Sequence, residues 1–420
     1  MAERVRQEFL HAWNAYKQYA WGHDELKPLS KGYHDWYGVS LYMTPVDSLD
    51  TMILMGLKDQ ANEARELIAT KLSFNQDVYV KNFEITIRLL GGLLSNYQLT
   101  GDKRLLALAE DLGNRLLPVF ESPTGMPYVD VNLKTGAVRG EETNPAEIGT
   151  LLIEFGTLSK LTGKPIYYDK AKRALVELYK RRSPIGLVGS SINIRTGAWT
   201  DPASHISGGI DSYYEYLLKC GILFDDKDCK QMWETSIEAV NKYVADDAPT
   251  GFWYCQVNMN TGARVGRHFG ALDAFFPGAL ALSGDLNRAK RLEDSCYKMW
   301  TTFGIEPEQF DYSTMKITAE GYPLRPEIIE SAYYLYHFTK DPRYLDMGRT
   351  YFDSLVKYCR TDTAYAALSN VTNKTKEDAM ESFFLAETLK YLYLLYAPAD
   401  TVDLNKVVFN TEAHPIRIIR

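Results

Sequence analysis

The stretch FEITIRLLGGLLSNYQLTGDKRLLALAEDLGNRLL, Phe83 to Leu117, decides how this chain folds. Ile85, Leu89, Leu90, Leu93, Leu94 and Tyr97 recur mostly at spacings of three and four, the period of a helix with an extended apolar surface. Thr100-Gly101-Asp102 interrupts the pattern, because glycine ends a helix and aspartate starts the next one. Leu105, Leu106, Leu108, Leu112 and Leu116 then lay down a second, more amphipathic helix. The unit is a helix hairpin, and it opens on a carboxylate, Glu84, with Arg88 one turn later on the same face.

The same unit returns along the chain. VDSLDTM (Val46 to Met52), NPAEIGT (Asn144 to Thr150), GGIDSYYEY (Gly208 to Tyr216), FGALDAFFPG (Phe269 to Gly278), RPEIIESAYY (Arg325 to Tyr334) and DAMESFFLAE (Asp378 to Glu387) each bring Asp or Glu to the start of an apolar, aromatic helix. Turns such as LTGKPI and FTKDPR, and then amphipathic partners, follow most of them. Roughly seven helix pairs at irregular intervals predict one repeat architecture. Helices apolar all round belong inside and their amphipathic partners outside, so the expected fold is all-α, two concentric rings of helices with the acids gathered at one rim. SPTGMPYVDVNLKTGAVRG, VGSSINIRTGAWTDP and GFWYCQVNMNTGARVG, which alternate β-branched and aromatic residues around turn dipeptides, predict hairpins or extended loops over that mouth. No linker divides the 420 residues, and we read residues 1–420 as one domain.

Composition narrows the function. The net charge is −7 and there is no basic tail, which argues against a nucleic-acid partner. No window approaches the ~20 apolar residues that span a bilayer. The N-terminal MAERVRQEFLHAW reads as an amphipathic helix without the apolar region of a signal peptide, and a secreted or periplasmic location is the expectation only if a leader has been removed. A monomer is expected. Aromatic residues make up 13% of the chain, including 29 tyrosines; they suit helix interfaces first and sugar faces second. Five cysteines, Cys220, Cys229, Cys255, Cys296 and Cys359, show no metal-ligand spacing. Cys220 and Cys229 could bridge, but the expectation for each cysteine is a buried thiol. Asn370 and Asn373 begin formal glycosylation sequons.

The acids carry the chemistry. A lone Asp or Glu at a helix start is ordinarily a cap worth about 1 kcal/mol. Capping does not account for seven such openings, nor for Arg325, Glu327 and Glu330 within one RPEIIE run. Glu84 with Arg88, Glu327 with Glu330 and Asp211 with Glu215 each share a helix face. Crowded carboxyls raise one another's pKa and so permit a general acid, or they hold a hard cation; oxygen donors without a Cys/His cluster favour calcium over zinc. There is no phosphate loop, dinucleotide fingerprint, HExxH or GxSxG elbow. Two carboxyls flanking a pocket suit glycoside hydrolysis.

In order along the chain, AWNAYKQYAWGHDELKP, VDSLDTM, FEITIRLLGGLLSNYQLTGD, AEIGTLLIEFGTLSKLTG, DSYYEYLLK, RPEIIESAYYLY, MESFFLAETLKYLYLL and FNTEAHP closely resemble glycoside hydrolase family 47, the class I α-mannosidases. The resemblance covers nearly the whole chain. It implies an (α/α)7 barrel closed at one end by a β-hairpin, and a calcium-dependent, inverting exo-hydrolase that removes α-1,2-linked mannose from mannose-rich oligosaccharides. Carried over by position, it implies Glu84 as general acid, Glu327 as general base and Asp211 as the third catalytic carboxylate, leaving open whether Glu84 or Asp211 delivers the proton. It implies Thr411 as the calcium ligand through its hydroxyl and carbonyl oxygens, with Glu147, Glu330, Glu387 and Glu412 supporting the ion's waters and the sugar. Arg88 and Arg325 would orient carboxylates and sugar, and Phe383 would pack on the terminal mannose. By the same comparison Asp47, Asp50 and Asp273 are left as caps or rim contacts.

Two departures from the family pattern stand out. A disulfide of the eukaryotic members would need a cysteine where this chain has Ala274, so its second partner, Cys296, is expected to be a free thiol. Members that trim a single mannose carry Arg at the place of Gly209, and its absence implies an opener subsite, as in a bacterial or minimal member. The rival readings are a catalytically silent mannose-glycan-binding relative of the same fold, a six-pair helical lyase or glucanase, and a helical scaffold without a pocket.

Overall fold

The computed structural model describes residues 1–419. Two compact units are each assembled from three stretches of chain: Met1–Leu57, Ala245–Cys255 and Arg267–Asp403 in the first, and Lys58–Val244, Gln256–Gly266 and Leu404 onward in the second.

In the second unit, helix Gly91–Thr100 pairs with Lys103–Leu116, Leu152–Thr162 with Pro165–Lys180, and Asp211–Leu223 with Lys227–Tyr243. The first member of each pair is buried over most of its length; every residue from Leu152 to Leu158 is inaccessible. The second member buries one stripe, for example Leu105, Ala109, Leu112 and Leu116, and faces water with the rest. The first unit follows the same rule. Met43–Leu54, Phe276–Ser283, Glu327–Thr339 and Leu389–Tyr396 are its buried helices, and Ala2–Tyr19, Leu286–Phe303 and Arg343–Tyr358 its amphipathic ones. Four buried helices in one unit and three in the other match the repeat read from sequence. Two of these helices begin with a wide π-helical turn, Thr86–Leu90 before Gly91–Thr100 and Phe384–Thr388 before Leu389–Tyr396. Among the described residues no helix is long and apolar enough to cross a membrane.

The turns between paired helices explain the LTGD-type signature. Gly101, Gly163 and Gly284 end their helices at φ of 73°, 72° and 93°, the left-handed conformation that closes a helix C-terminus. Lys340 takes the same place in FTKDPR at φ 57°, where a side chain is strained. Asp102, Asp226 and Asp285 then cap the outer helices by accepting the N–H of Arg104 at 3.0 Å, Cys229 at 2.9 Å and Arg288 at 3.2 Å. The capping acids therefore sit on the outer helices. The acids that open the buried helices do not cap: the N-cap positions there are Lys81, Ile210 and Pro326, none with a side-chain cap bond.

Among the described residues, eight small antiparallel sheets occupy the connections between helices. All three strips read as hairpins or loops form hairpins in the second unit: Asp130–Asn132 with Val138–Arg139, Ser191–Asn193 with Trp199–Asp201, and Gln256–Asn258 with Arg264–Gly266. They share an Asn-x-x-Thr-Gly-Ala turn. The side-chain oxygens of Asn132, Asn193 and Asn258 accept the N–H two residues on, from Lys134, Arg195 and Asn260. Asn370 makes the same turn in the first unit, accepting the N–H groups of Thr372 and Asn373.

Two expectations change. Cys220 and Cys229 form a disulfide across the short turn joining Asp211–Leu223 to Lys227–Tyr243, so neither is a free thiol. Cys255, Cys296 and Cys359 are free and buried as expected. Asp47, Asp50 and Asp273 are neither caps nor rim contacts, because all three are buried. Asp50 pairs with Lys390 at 2.7 Å in the core of the first unit, Asp47 accepts the Ser382 hydroxyl, and Asp273 accepts the Gly270 N–H at 3.1 Å. Sequence position placed them at helix starts; long-range partners, invisible in a local pattern, set their roles.

Candidate active site

In the second unit the site is built on the π-helical turn and on the turn of the C-terminal hairpin, strands Val407–Phe409 and Pro415–Arg417. Arg88 is the hinge of the arrangement. Its Nε donates to Glu84 Oε2 at 3.0 Å and its guanidinium bonds Glu412 Oε1 at 2.6 Å, with the arginine side chain only 8% exposed. A buried planar cation between two carboxylates fixes both of them in direction. Glu84 remains half-buried, so one side of its carboxyl is open to a ligand. Lys81 reaches Glu147 at 2.7 Å, and Glu147 also accepts the Thr143 hydroxyl at 2.9 Å. Burial works against the charge on Lys81, but Glu147, Glu84 and Asp130 outweigh it and raise its pKa. Asp211 is half-buried as the first residue of its helix and accepts the Ser212 N–H at 2.8 Å. Glu215, one turn on, is tied to Lys219 at 2.5 Å in a buried pair.

Thr411 lies in a turn held from behind by Asn410. The Asn410 side chain donates to Ile87 O at 3.0 Å and to Glu154 Oε1 at 2.8 Å, and accepts the N–H groups of Glu412 at 3.0 Å and His414 at 2.8 Å. The Thr411 N–H turns inward to the Tyr216 hydroxyl at 3.3 Å. Among the described residues neither its hydroxyl nor its carbonyl oxygen makes a hydrogen bond, and the residue is partly exposed. Two oxygen donors on one residue, neither engaged in a hydrogen bond among the described residues, fit a hard cation. Gly91 permits this turn to approach: a Cβ there would stand 2.6 Å from Asn410 Nδ2 and 3.2 Å from the His414 ring.

Behind the turn is Glu154, fully buried in the first turn of the apolar helix Leu152–Thr162. Its Oε1 accepts both the Tyr216 hydroxyl at 2.6 Å and Asn410 Nδ2 at 2.8 Å. Burial pushes its pKa up from 4.5 to about 7, against the lowering effect of those two bonds.

In the first unit, Arg325, Glu327 and Glu330 lie at one helix start. Arg325 donates through Nε to Glu308 Oε2 at 3.1 Å, and its guanidinium stands 5.6 Å from the centre of the Phe383 ring. Burial opposes its charge, while Glu308, Glu327 and Glu381 hold it. Glu327 is half-buried as the first residue of its helix, and Glu330 is buried and accepts the Tyr391 hydroxyl at 3.3 Å. Glu387 is buried in the second π-helical turn. The structure thus groups Glu84, Arg88 and Glu412 beside Thr411 in one unit, and Arg325, Glu327, Glu330 and Phe383 in the other.

Sequence reasoning missed Lys81, Glu154, Glu308 and Asn410. Lys81 ends the strand Tyr79–Lys81 and Glu308 directly precedes Gln309–Asp311, positions where a charged residue is an ordinary surface signal. Glu154 alone had a readable mark, a single carboxyl inside the apolar run LLIEFGTL, where burial without a partner is costly.

Comparison with known proteins follows the same lines. The family model of glycosyl hydrolase family 47 matches residues 8–418. Alpha-mannosidase I MNS5 of Arabidopsis thaliana is 39% identical over 449 residues, covering 100% of this chain and 77% of the relative. Mannosyl-oligosaccharide 1,2-alpha-mannosidase MNS1 of the same plant is 37% identical, covering 99% of this chain and 78% of the relative. The solved alpha-1,2-mannosidase from Trichoderma reesei superposes with a TM-score of 0.92 at 31% identity, over 100% of this chain and 99% of the other. Helix pairs with buried first members, a carboxylate pinned by Arg88 beside the Thr411 turn, and a match over almost every residue agree: the chain has an α/α-barrel fold and belongs to glycosyl hydrolase family 47.

Proposed function

We propose that the chain is a calcium-dependent, inverting exo-α-1,2-mannosidase acting on mannose-rich oligosaccharides. The relatives named mannosidases supply the substrate class. The observation that carries the rest is the Arg88 bridge from Glu84 to Glu412, next to Thr411, whose hydroxyl and carbonyl oxygens make no hydrogen bond among the described residues.

Glu84, aimed by Arg88, protonates the glycosidic oxygen as the bond to C1 lengthens. Glu327 takes a proton from the water that attacks C1 from the opposite face, which inverts the anomeric centre. Asp211 is the third carboxylate, placed to stabilise positive charge on the ring or to share proton delivery with Glu84. Arg325 steadies the base carboxylate, and Phe383 offers its face to the terminal sugar. Glu147, Glu330, Glu387 and Glu412 accept hydrogen bonds from waters and sugar hydroxyls. When bound at Thr411, calcium would hold vicinal sugar hydroxyls and favour ring distortion toward an oxocarbenium-like state.

The test is mannose release from an α-1,2-mannobioside in calcium and in chelator. Release in calcium, lost in chelator and restored by added calcium, supports the reading. No release in calcium-replete buffer overturns the enzyme, and binding of the disaccharide without release points to a silent glycan-binding relative. Proton NMR of the first product should show β-mannose; α-mannose would refute inversion.

A further inference from the structure

Two buried helices of the second unit meet the Thr411 turn from behind. Glu154 comes from Leu152–Thr162 and Tyr216 from Asp211–Leu223. The Tyr216 hydroxyl donates to Glu154 Oε1 at 2.6 Å and accepts the Thr411 N–H at 3.3 Å. The Asn410 amide donates to the same Oε1 at 2.8 Å, and to Ile87 O in the π-helical turn that carries Arg88 at 3.0 Å. One carboxyl oxygen thus gathers two side chains, and each of them holds backbone beside Thr411. Glu154 Oε2 is buried and makes no hydrogen bond among the described residues.

Peptide geometry turns these bonds into a direction. In a planar trans peptide unit the N–H and the C=O point opposite ways. The Glu412 N–H belongs to the same unit as the Thr411 carbonyl, and it donates to Asn410 Oδ1 at 3.0 Å. The Thr411 carbonyl oxygen therefore points away from the Asn410 side chain. The unit on the other side of Thr411 is fixed at both ends: its N–H by Tyr216, and its carbonyl, that of Asn410, by the Ala413 N–H at 3.1 Å. Thr411 is β-branched and stiff at χ1, so a fixed backbone also fixes where its hydroxyl can lie. A buried carboxyl needs donors wherever it sits, and in the first unit Tyr351 meets Glu293 Oε1 in the same way at 3.1 Å. The Tyr216 hydroxyl differs in passing the contact on to the backbone of Thr411.

We propose that Glu154 and Tyr216 are positioning residues for the cation at Thr411: a single buried carboxyl oxygen holds the two side chains that orient the peptide units on either side of that threonine. The proposal rests on the calcium reading of Thr411 for its ligand. Neither residue touches the ion; both set the direction of the oxygens that would.

The experiment titrates the whole chain with calcium alone by calorimetry and measures Tm in chelator beside it. Tyr216→Phe removes one oxygen and leaves the ring, and it should raise the calcium Kd about tenfold or more. Glu154→Leu should do the same. Glu154→Gln keeps an acceptor for both donors and should stay within about threefold of wild type. Tyr351→Phe, which breaks the comparable pair in the first unit, should leave the calcium Kd unchanged. A role confined to folding would lower Tm in chelator without moving Kd. An unmoved Kd in Tyr216→Phe, a loss in Glu154→Gln as large as in Glu154→Leu, or an equal loss in Tyr351→Phe would each overturn the proposal. If Glu154→Leu does not fold, Tyr216→Phe against Tyr351→Phe decides alone. Wild type that takes up no calcium would overturn the calcium reading and this proposal with it. Uptake by wild type with no change in Tyr216→Phe overturns this proposal only.

Discussion

Replacing Glu154 by glutamine isolates the energetic consequence of a carboxyl buried in a helix. The free carboxyl titrates near 4.5 and the folded one at about 7, a difference worth about 3 kcal/mol. A folded pKa above the unfolded one means that the native state binds the proton more tightly. Its contribution is therefore complete below pH 4.5, declines as the pH rises toward 7, and is gone above that. Glutamine keeps the Oε1 acceptor for Tyr216 and Asn410 and does not titrate. The difference in stability between Glu154→Gln and wild type should thus grow in favour of the variant between pH 5 and pH 8. For a chain of 420 residues, 3 kcal/mol corresponds to about 3 °C in Tm. Thermal unfolding of both proteins, followed by circular dichroism at the two pH values with chelator throughout, gives the number directly. Comparing variant with wild type removes every other titrating group from the result. An offset in Tm that is the same at pH 5 and pH 8 would show that Glu154 does not hold its proton as argued.

Gly91→Ala should weaken calcium binding and lower mannose release about tenfold or more, because its methyl would displace an Asn410 amide that two acceptors fix in place. Calcium titration by calorimetry checks the binding part. Glu327→Gln should lower kcat by about a hundredfold or more while disaccharide affinity changes little; near-normal turnover would remove its base role. Lys340→Gly should raise stability by up to about 1 kcal/mol, by relieving the left-handed conformation that glycine occupies in the sister turns, and a lower Tm would contradict that account.

The buried helices, their amphipathic partners and the glycine turns were legible in the sequence because each obeys a local rule of period or backbone conformation. The three connecting hairpins were legible for the same reason. The roles of individual acids were less so. Arg88 meets Glu412 and Asn410 meets Glu154 across more than half the chain, and a periodic pattern does not encode such pairings. Family resemblance put Glu84, Arg88 and Glu412 forward together, and the structure joins them through two ion pairs. Asp50 shows the opposite outcome: its position in a repeat suggested a rim, while Lys390, far along the chain, draws it into the core. Cys220 and Cys229 lie nine residues apart, a separation that permits a bridge without requiring one; the antiparallel helix turn decides it.

The wide turn at Thr86–Leu90 bears on how such a chain tolerates insertion and deletion. A π-helical turn carries one residue more than an α-helical turn spanning the same rise. Deleting that residue would leave a regular helix, and its hydrogen bonding would suffer little. Everything on the N-terminal side, Glu84 included, would however rotate by about 100° relative to Leu93 and Leu94, which are locked in the core. A protein shortened by that one residue could therefore keep its helices while turning the candidate acid away from Glu412. In this segment the count of residues, as much as their identity, sets where the carboxyl points.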